Sequence, residues 1–279
     1  MGNPIAHSRS PEIHSEFALQ NSINITYEKL LVPSDGFEES TKTFLQRGCR
    51  GFNVTLPHKV NAYQLVDELS EDAALSHAVN TVVVEVLPEG GSSENNIGKK
   101  KPTKLIGYNT DGIGLVRDFQ SNLAWDLKNK SVLVLGAGGA VRGVLSRVLK
   151  LEPQVLHIFN RTLEKAVKLE EQFSNPCLKA VSIDELMESY DFVISGSSAG
   201  LTLGDINLPA TIIGPTTLCY DMIYSQTKTS FQAWCSEQGC QSSVDGLGML
   251  VEQAAESFTL WTGCEVNTET VIKKLRATN

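Results

Sequence analysis

The chain has 279 residues, enough for two domains of ordinary size, each with its own core. Apolar residues make up 41% and charged residues 20% of the sequence, and 24 basic against 32 acidic residues give a net charge of −8. This balance is typical of a soluble globular protein and disfavours a broad basic surface for nucleic acid, although one small basic pocket for a phosphate remains compatible with it.

The first hundred residues predict a mixed α/β region. Helices are expected at 11–20 and 37–47, and strands at 26–32, 51–56, 80–87 and 105–108. Residues 88–104 are rich in Gly, Ser, Asn and Lys, so they are expected to form an exposed loop between the last two strands, with the lysines at 99–101 at a solvated tip.

Strands and helices alternate over the next hundred residues. Nearly all-apolar runs predict buried strands at 131–135, 155–160, 192–195 and 218–221, and helices are expected at 140–149 and from 162 onward. This order predicts a Rossmann-like, doubly wound parallel sheet. Two more helices, at 249–263 and 268–275, can return to the first region. The expected architecture is a discontinuous N-terminal α/β domain, residues 1–110 with 246–279, and an inserted nucleotide-binding domain, residues 111–245.

A glycine-rich turn follows the first strand of the inserted domain. Its residues are Gly136, Ala137, Gly138, Gly139 and Ala140. A strand that ends in glycine and opens into a helix presents free backbone N–H groups to a pyrophosphate. The third glycine of the usual G-x-G-x-x-G pattern is replaced by Val141, so a packing turn in another kind of α/β protein remains an alternative at this point.

The end of the second strand of this domain indicates which dinucleotide would bind. An NAD-binding domain usually has an acidic residue there, which bonds the ribose 2′-hydroxyl. This chain has Asn160, Arg161 and Thr162, with Lys165 one turn later. Because a guanidinium binds a 2′-phosphate whereas a carboxylate would repel it, the sequence favours NADP(H) over NAD.

Polar residues in the first region form two further candidate segments. Ser10 precedes Pro11 and is expected to be the N-cap of the first helix, whereas Ser8 has no such role, so its hydroxyl could face a ligand. Lys59 follows a strand and a proline turn and is expected to begin a helix, where the dipole disfavours an ammonium and suits it to acid/base work. Its candidate partner is Asp111; without one, Lys59 would be an ordinary solvated lysine.

These segments together resemble the shikimate dehydrogenase family. They occur in the family's order and span nearly the whole chain: NPIAHSRSP (3–11), NVTLPHK (53–59), AVNT (78–81), NTDG (109–112), GAGG (136–139), NRT (160–162), YDMIY (220–224) and DGLGMLVEQAA (245–255). The resemblance implies a two-domain enzyme that reduces 3-dehydroshikimate to shikimate with NADPH.

The resemblance also implies roles for individual residues. Lys59 would be the catalytic acid/base, supported by Asp111. Shikimate would lie in a cleft and contact Ser8, Ser10, Thr55, Lys59, Asn80, Asp111, Tyr224 and Gln253. NADP(H) would be held by the glycine turn and the 160–165 segment, and the resemblance adds Glu71, Met222 and Gly246 near the cofactor.

The chain departs from the family pattern in three places. Only Met1 precedes Gly2, where the family has a first strand, so either the sequence starts late or the first sheet lacks a strand. The loop at 88–104 is longer than usual. Ser195-Gly196-Ser197-Ser198 replaces the usual segment after the third strand of the cofactor domain.

Other interpretations remain open. A quinate/shikimate dehydrogenase could have a broader substrate range and accept NAD, which Arg161 disfavours. A non-catalytic regulator on this fold could bind the metabolite, which the retention of Lys59 and Asp111 disfavours.

Partners and location follow from the same sequence. We expect a small-molecule substrate, no nucleic-acid or membrane partner, and either a monomer or a homodimer. No histidine or cysteine has metal-ligand spacing, so no metal is expected. The six cysteines form no C-x-x-C pair, and the polar start is unlike a secretory signal. These features favour the cytoplasm or a similar reducing space.

Overall fold

The computed structural model describes residues 1–87, 103–196 and 208–277. The loop prediction for 88–104, apart from its last two residues, lies outside this part of the chain, as do Ser197 and Ser198. The chain divides into two compact units. Unit 1 comprises Met1–Thr110 and Ser257–Val266. Unit 2 comprises Asp111–Glu256 and the chain from Asn267 onward.

Unit 1 is built on a small mixed sheet. Its elements in chain order are α1 (Ser10–Gln20), α2 (Phe37–Gln46), β1 (Gly51–Asn53), α3 (Lys59–Leu65), β2 (Glu68–Leu69), α4 (Glu71–Ser76), β3 (Thr81–Val86) and β4 (Thr103–Tyr108). The strands lie in the order β1-β3-β4-β2, with β3 antiparallel to both β1 and β4 and with β2 parallel to β4. The register pairs Asn53 with Thr81.

Unit 2 contains the parallel sheet that the alternating pattern predicts. Its elements are α5 (Asp111–Arg117), a π-helical turn (Asp118–Asn122), β5 (Ser131–Leu135), α6 (Gly139–Leu149), β6 (Val155–Phe159), α7 (Leu163–Phe173), β7 (Leu178–Val181), β8 (Phe192–Ser195), β9 (Leu218–Asp221), α8 (Ser230–Glu237), β10 (Ser242–Asp245), α9 (Leu247–Thr262) and α10 (Thr268–Ala277). The strand order is β10-β9-β8-β5-β6-β7, and all five pairings are parallel.

The core of unit 2 explains why its strands are almost wholly apolar. Along β5, Val132 and Val134 are buried in the cluster on one face of the sheet, and Leu133 and Leu135 in the cluster on the other. Because both faces are covered, every position of the strand is selected for an apolar side chain. This confirms the prediction of a doubly wound sheet.

The C-terminal segment divides between the units. The boundary falls within α9, between Glu256 and Ser257, and α10 belongs to unit 2. Arg276 of α10 forms a bidentate ion pair with the buried carboxylate of Asp245, at the end of β10. We predict from the sequence that residues 246–279 belong with the first domain, and this assignment stays a prediction.

Two local predictions in unit 1 are wrong. Residues 26–32 do not form a strand, because within the described chain their one sheet-like pairing is to Gly2, whose N–H donates to Leu30 and whose carbonyl accepts from Val32. Ser10 is not the N-cap of α1: the helix includes Ser10 and Arg9 precedes it without a side-chain cap bond. Among the described residues, no helix is both long enough and apolar enough to cross a membrane.

Candidate active site

Two of the predicted substrate residues of unit 1, Ser8 and Ser10, belong to a hydroxyl–amide network. We use this name for the side chains of Ser8, Ser10, Tyr27, Asn53, Thr81 and Ser257. The Asn53 amide nitrogen contacts the Thr81 hydroxyl at 3.0 Å and the Ser257 hydroxyl at 3.0 Å, and those two hydroxyls are 2.8 Å apart. The buried hydroxyls therefore satisfy one another's hydrogen bonds, which is the condition for a polar cluster inside a protein.

Ser8 and Ser10 join this network through the start of α1. The Ser8 hydroxyl accepts from the Ser10 backbone N–H at 3.3 Å and lies 3.2 Å from the Ser10 hydroxyl. Ser8, and not Ser10, therefore accepts a hydrogen bond from a backbone N–H at the start of α1. The Ser10 side chain instead hydrogen-bonds the phenol of Tyr27.

Tyr27 of the network stacks on a second aromatic side chain, His14. His14 is fully buried and stacks on Tyr27, with ring centroids 4.3 Å apart and an interplanar angle of 14°. Burial lowers the pKa of His14 to about 3, against a smaller opposing effect from the Asn53 side chain. Among the described residues, neither ring nitrogen of His14 has a hydrogen-bond partner. Burial also raises the pKa of the Tyr27 phenol. His14 is therefore neutral, and Tyr27 keeps its proton, at any physiological pH.

Asn80 lies at the other side of the network. Its amide nitrogen donates to the Thr110 hydroxyl at 3.0 Å, and its amide oxygen accepts from the Thr110 backbone N–H at 2.9 Å. The Lys59 carbonyl accepts from the Val79 N–H at 3.0 Å, so the first residue of α3 is held next to the segment that carries Asn80. The structure thus brings Lys59 and Asn80 together, and Lys59 begins a helix as predicted.

Thr55 is fixed by its backbone. Its N–H donates to the Met1 carbonyl at 2.9 Å, and its carbonyl accepts from the His58 N–H at 3.0 Å. Gly2 allows this approach, since a Cβ there would lie 2.3 Å from the Thr55 methyl group. Glu71, the remaining predicted residue of unit 1, is exposed in the first turn of α4.

In unit 2, α5 and α9 carry two predicted substrate residues. Asp111 is buried at the start of α5. Gly114, one turn later, lies so close to Gln253 of α9 that an added Cβ would be 2.7 Å from the Gln253 Cβ. The predicted catalytic residues Lys59 and Asp111 belong to different units, so their partnership stays a prediction.

A buried polar cluster supports the start of α9. Asp118 accepts from the Tyr220 hydroxyl at 2.6 Å and from the Asn122 amide at 3.0 Å, and the same amide donates to Glu252 at 3.0 Å. Burial raises the pKa of the Asp118 carboxyl. Gly248 is required here, because a Cβ would lie 1.9 Å from an Asp118 oxygen. This cluster fixes the helix that presents Gln253.

The glycine turn of unit 2 is open at the positions where a ligand would approach. Gly136 has a φ of 110°, which strains any other residue, and its N–H donates to Phe159 at 2.8 Å. At Gly138 and Gly139, by contrast, an added Cβ would meet no atom of the described residues within 4 Å, apart from those of its chain neighbours. Helix α6 begins here with no side-chain cap and no acid in its first turn. Exposed N–H groups beside open space fit a pyrophosphate.

The adjacent strand end fits the rest of an NADP molecule. The Asn160 amide donates to the Thr162 carbonyl at 2.8 Å, which fixes the link between β6 and α7. Arg161 and Lys165 are exposed on this link and on the first turn of α7, and Thr162 makes no cap bond to the helix. Two cations beside an uncapped helix start form an anion site suited to a 2′-phosphate.

Met222 and Gly246 lie together at the carboxyl ends of β9 and β10. A Cβ at Gly246 would lie 2.4 Å from the Met222 carbonyl oxygen, and a Cβ at Gly196 would lie 3.0 Å from the Met222 sulfur. Asp221 accepts from the Ile223 N–H at 3.1 Å and shapes the turn that carries Met222, while burial raises the pKa of the Asp221 carboxyl. Tyr224 is half-buried two residues later.

The sequence interpretation missed most of the hydroxyl–amide network. Asn53 and Thr81 lie in the NVTLPHK (53–59) and AVNT (78–81) segments but received no role, and Tyr27 and Ser257 lie in no motif. The pairing of Asn53 with Thr81 follows from the register of β1 against β3, which the two predicted strands could have suggested.

Strand order and glycine turn together define the class of protein. In such a sheet the order reverses at β5, and ligands bind at the carboxyl ends of the strands at this point. The strands that meet there are β5 and β8. The glycine turn follows β5, and the Arg161 segment follows β6, the neighbour of β5 on its other side. The chain is thus a two-unit α/β protein with a Rossmann-like nucleotide-binding unit.

Comparison with known proteins narrows this class to one family. The model of the shikimate dehydrogenase substrate binding domain matches residues 1–82, that of shikimate / quinate 5-dehydrogenase matches 118–204, and that of the shikimate 5′-dehydrogenase C-terminal domain matches 246–276. The shikimate dehydrogenase (NADP(+)) of Shewanella woodyi is 46% identical over 277 residues, which cover 99% of this chain and 95% of that protein. The chain belongs to the shikimate dehydrogenase family.

Solved structures agree over the full length. The Ael1 enzyme from Pseudomonas putida has a TM-score of 0.86 and 37% identity, covering 98% of this chain and 96% of that one. Shikimate 5-dehydrogenase from Thermus thermophilus, solved in complex with NADP(H) and shikimate, has a TM-score of 0.82 and 29% identity, covering 100% of this chain and 97% of that one.

Proposed function

We propose that this chain catalyses the reversible, NADP(H)-dependent reduction of 3-dehydroshikimate to shikimate, a step of the route to chorismate and the aromatic amino acids. The observation that carries the proposal is the 46% identity over nearly the full length to a shikimate dehydrogenase (NADP(+)). The exposed Arg161 and Lys165 beside the open glycine turn support the choice of cofactor.

The two ligands are assigned to different parts of the chain. Residues 1–110 with 246–279 bind shikimate, and residues 111–245 bind NADP(H). The substrate is a polyhydroxylated carboxylate, which hydroxyl and amide groups such as those of Ser8, Ser10, Thr55, Asn80 and Gln253 suit. Asp111 and Tyr224, although they belong to the 111–245 domain, complete this set of proposed shikimate ligands. Among the described residues, no three His, Cys, Asp or Glu side chains are placed to hold a metal ion.

Lys59 is the proposed acid/base of the reaction. NADPH, when bound, supplies the hydride that reduces the C3 ketone. The Lys59 ammonium donates a proton to the oxygen of that ketone as negative charge develops there, and in the reverse direction the amine accepts the proton from the C3 hydroxyl. Asp111 orients the lysine and a substrate hydroxyl. Gly136–Ala140 would hold the cofactor together with Asn160, Arg161, Thr162 and Lys165. Glu71 would lie near its nicotinamide end, and Met222 and Gly246 beside the cofactor.

The proposed location is the cytoplasm. All six cysteines are free thiols, which a reducing compartment preserves.

Isotope transfer tests the reaction directly. The protein is incubated with 3-dehydroshikimate and NADPH in which both hydrogens at the nicotinamide C4 position are deuterium, and the product is analysed by mass spectrometry and NMR. We expect shikimate with one deuterium at C3. A product without deuterium, or no consumption of NADPH, contradicts the proposal.

A further inference from the structure

The hydroxyl–amide network has a defined direction at Asn53. Its amide nitrogen lies 3.2 Å from the Asn80 backbone carbonyl, which can only accept a hydrogen bond. This contact fixes the NH₂ group on that side and turns the amide oxygen toward Tyr27, whose hydroxyl is 2.6 Å away. Because an amide oxygen only accepts, Tyr27 must donate its single proton to Asn53.

The direction continues through Tyr27 to the serines. With its proton committed to Asn53, the phenol oxygen can only accept, so the Ser10 hydroxyl donates to it. The Ser8 hydroxyl, 3.2 Å from the Ser10 oxygen, donates in turn. A hydrogen-bond chain therefore runs from Ser8 through Ser10 and Tyr27 to Asn53, and each hydroxyl donates to the next residue.

Asn53 and Tyr27, one end of this hydrogen-bond chain and the residue next to it, are held in place. Asn53 is fixed by its contacts to Thr81 and Ser257 and by the strand register. The ring of Tyr27 is fixed by its stack on the buried His14. Of the four residues in this hydrogen-bond chain, only Ser8 and Ser10 are proposed to touch substrate. Tyr27 thus connects a rigid support to two ligand-binding hydroxyls.

We propose that Tyr27 is a positioning residue for substrate binding, which sets the orientation of the Ser10 hydroxyl and, through it, of the Ser8 hydroxyl. This inference rests on the proposed function, because it takes the two serines as shikimate ligands. Tyr27 acts on substrate affinity and leaves the proton transfer at Lys59 unchanged.

Replacing the phenol by a phenyl ring isolates this role. Tyr27→Phe keeps the stack on His14 and removes only the hydroxyl. We expect the KM for shikimate to rise about five- to tenfold, the range for loss of one hydrogen bond, with kcat and the KM for NADP within about twofold of wild type. Tyr190→Phe is the matched control: its hydroxyl bonds His157 at 2.7 Å in unit 2, so it should lower stability and leave the KM for shikimate unchanged.

A double-mutant cycle with Ser10→Ala tests whether Tyr27 acts through Ser10. If it does, Tyr27→Phe has no further effect on the KM for shikimate once Ser10 is alanine. Additive effects, or an unchanged KM in Tyr27→Phe alone, overturn the inference. Should Tyr27→Phe fail to fold, 3-fluorotyrosine at position 27 replaces it; fluorine weakens the phenol oxygen as an acceptor, so the KM should again rise, and an unchanged value overturns the inference.

Wild-type activity separates this inference from the proposed function. An inactive wild-type protein overturns both. A wild type that oxidises shikimate, together with an unchanged KM in the position-27 variants, overturns only the positioning role.

Discussion

The hydroxyl–amide network of unit 1 and the glycine turn of unit 2 offer a ligand opposite kinds of surface. In the network, side-chain donors and acceptors are already bonded to one another, from Ser10 through Tyr27 to Asn53. At the turn, Gly138 and Gly139 leave open space next to backbone N–H groups. If these are the ligand sites, recognition in unit 1 depends on contacts between residues distant in sequence, and recognition in unit 2 on local backbone shape. Substitutions in the two units should accordingly affect different kinetic constants.

The largest expected effect is at Lys59. Lys59→Ala should lower kcat by about 10²–10⁴-fold, the usual range for loss of a general acid/base, with little change in the KM for shikimate. Steady-state rates of NADP reduction measure both constants. Lys42→Ala is the matched control, since Lys42 is exposed in the same unit and pairs with the exposed Glu38. A Lys59→Ala enzyme with near wild-type kcat would remove Lys59 from the mechanism.

Arg161 should affect the cofactor alone. Because a charged hydrogen bond contributes about 1.5–3 kcal/mol, Arg161→Ala should raise the KM for NADP about 10- to 100-fold and leave the KM for shikimate unchanged. Lys168→Ala, at an exposed lysine of the helix that follows Arg161, α7, serves as the control. An equal loss for NADP and NAD would show that Arg161 does not contact a 2′-phosphate.

Two glycines of the turn should respond differently to the same substitution. Gly136→Ala should lower the free energy of unfolding by about 1–3 kcal/mol, because its φ of 110° strains alanine. Gly138→Ala should leave stability within about 0.5 kcal/mol, since its backbone is extended and its surroundings are open, yet weaken NADP binding roughly tenfold. Denaturant unfolding and cofactor titration measure the two effects. Unchanged NADP affinity in Gly138→Ala would place the pyrophosphate elsewhere.

At neutral pH the smallest expected effect is that of His14, whose contribution to stability changes only as the pH falls. Its pKa is about 3 in the folded protein and about 6.5 when unfolded, so the unfolded chain binds the proton first. The stability from His14 is fully present above pH 6.5 and is lost as the pH falls toward 3, by up to about 1.4 kcal/mol per pH unit. His14→Phe should flatten the dependence of unfolding free energy on pH over this range. Parallel curves for wild type and variant would mean that His14 is protonated in the folded state.

The contrast between local patterns and contacts of distant residues also explains what could be predicted from the sequence. The parallel sheet, the glycine turn and the Arg161 segment are local patterns with a direct physical meaning, and they led to a dinucleotide-binding unit. Residues 26–32 have the composition of a strand, but in the described chain their sheet-like pairing is limited to Gly2. Ser10 before Pro11 is typical of a helix N-cap, but the Ser10 hydroxyl hydrogen-bonds the Tyr27 phenol instead. Such contacts between distant residues have no local signature, so the substrate residues followed only from the family resemblance.

The measurement that tests the central claim most directly is a comparison of initial rates for wild-type protein with shikimate and NADP, shikimate and NAD, and quinate and NADP, followed by the absorbance of the reduced nicotinamide. We expect the highest kcat/KM for shikimate with NADP. A preference for NAD or for quinate, or no turnover of shikimate, would contradict the account.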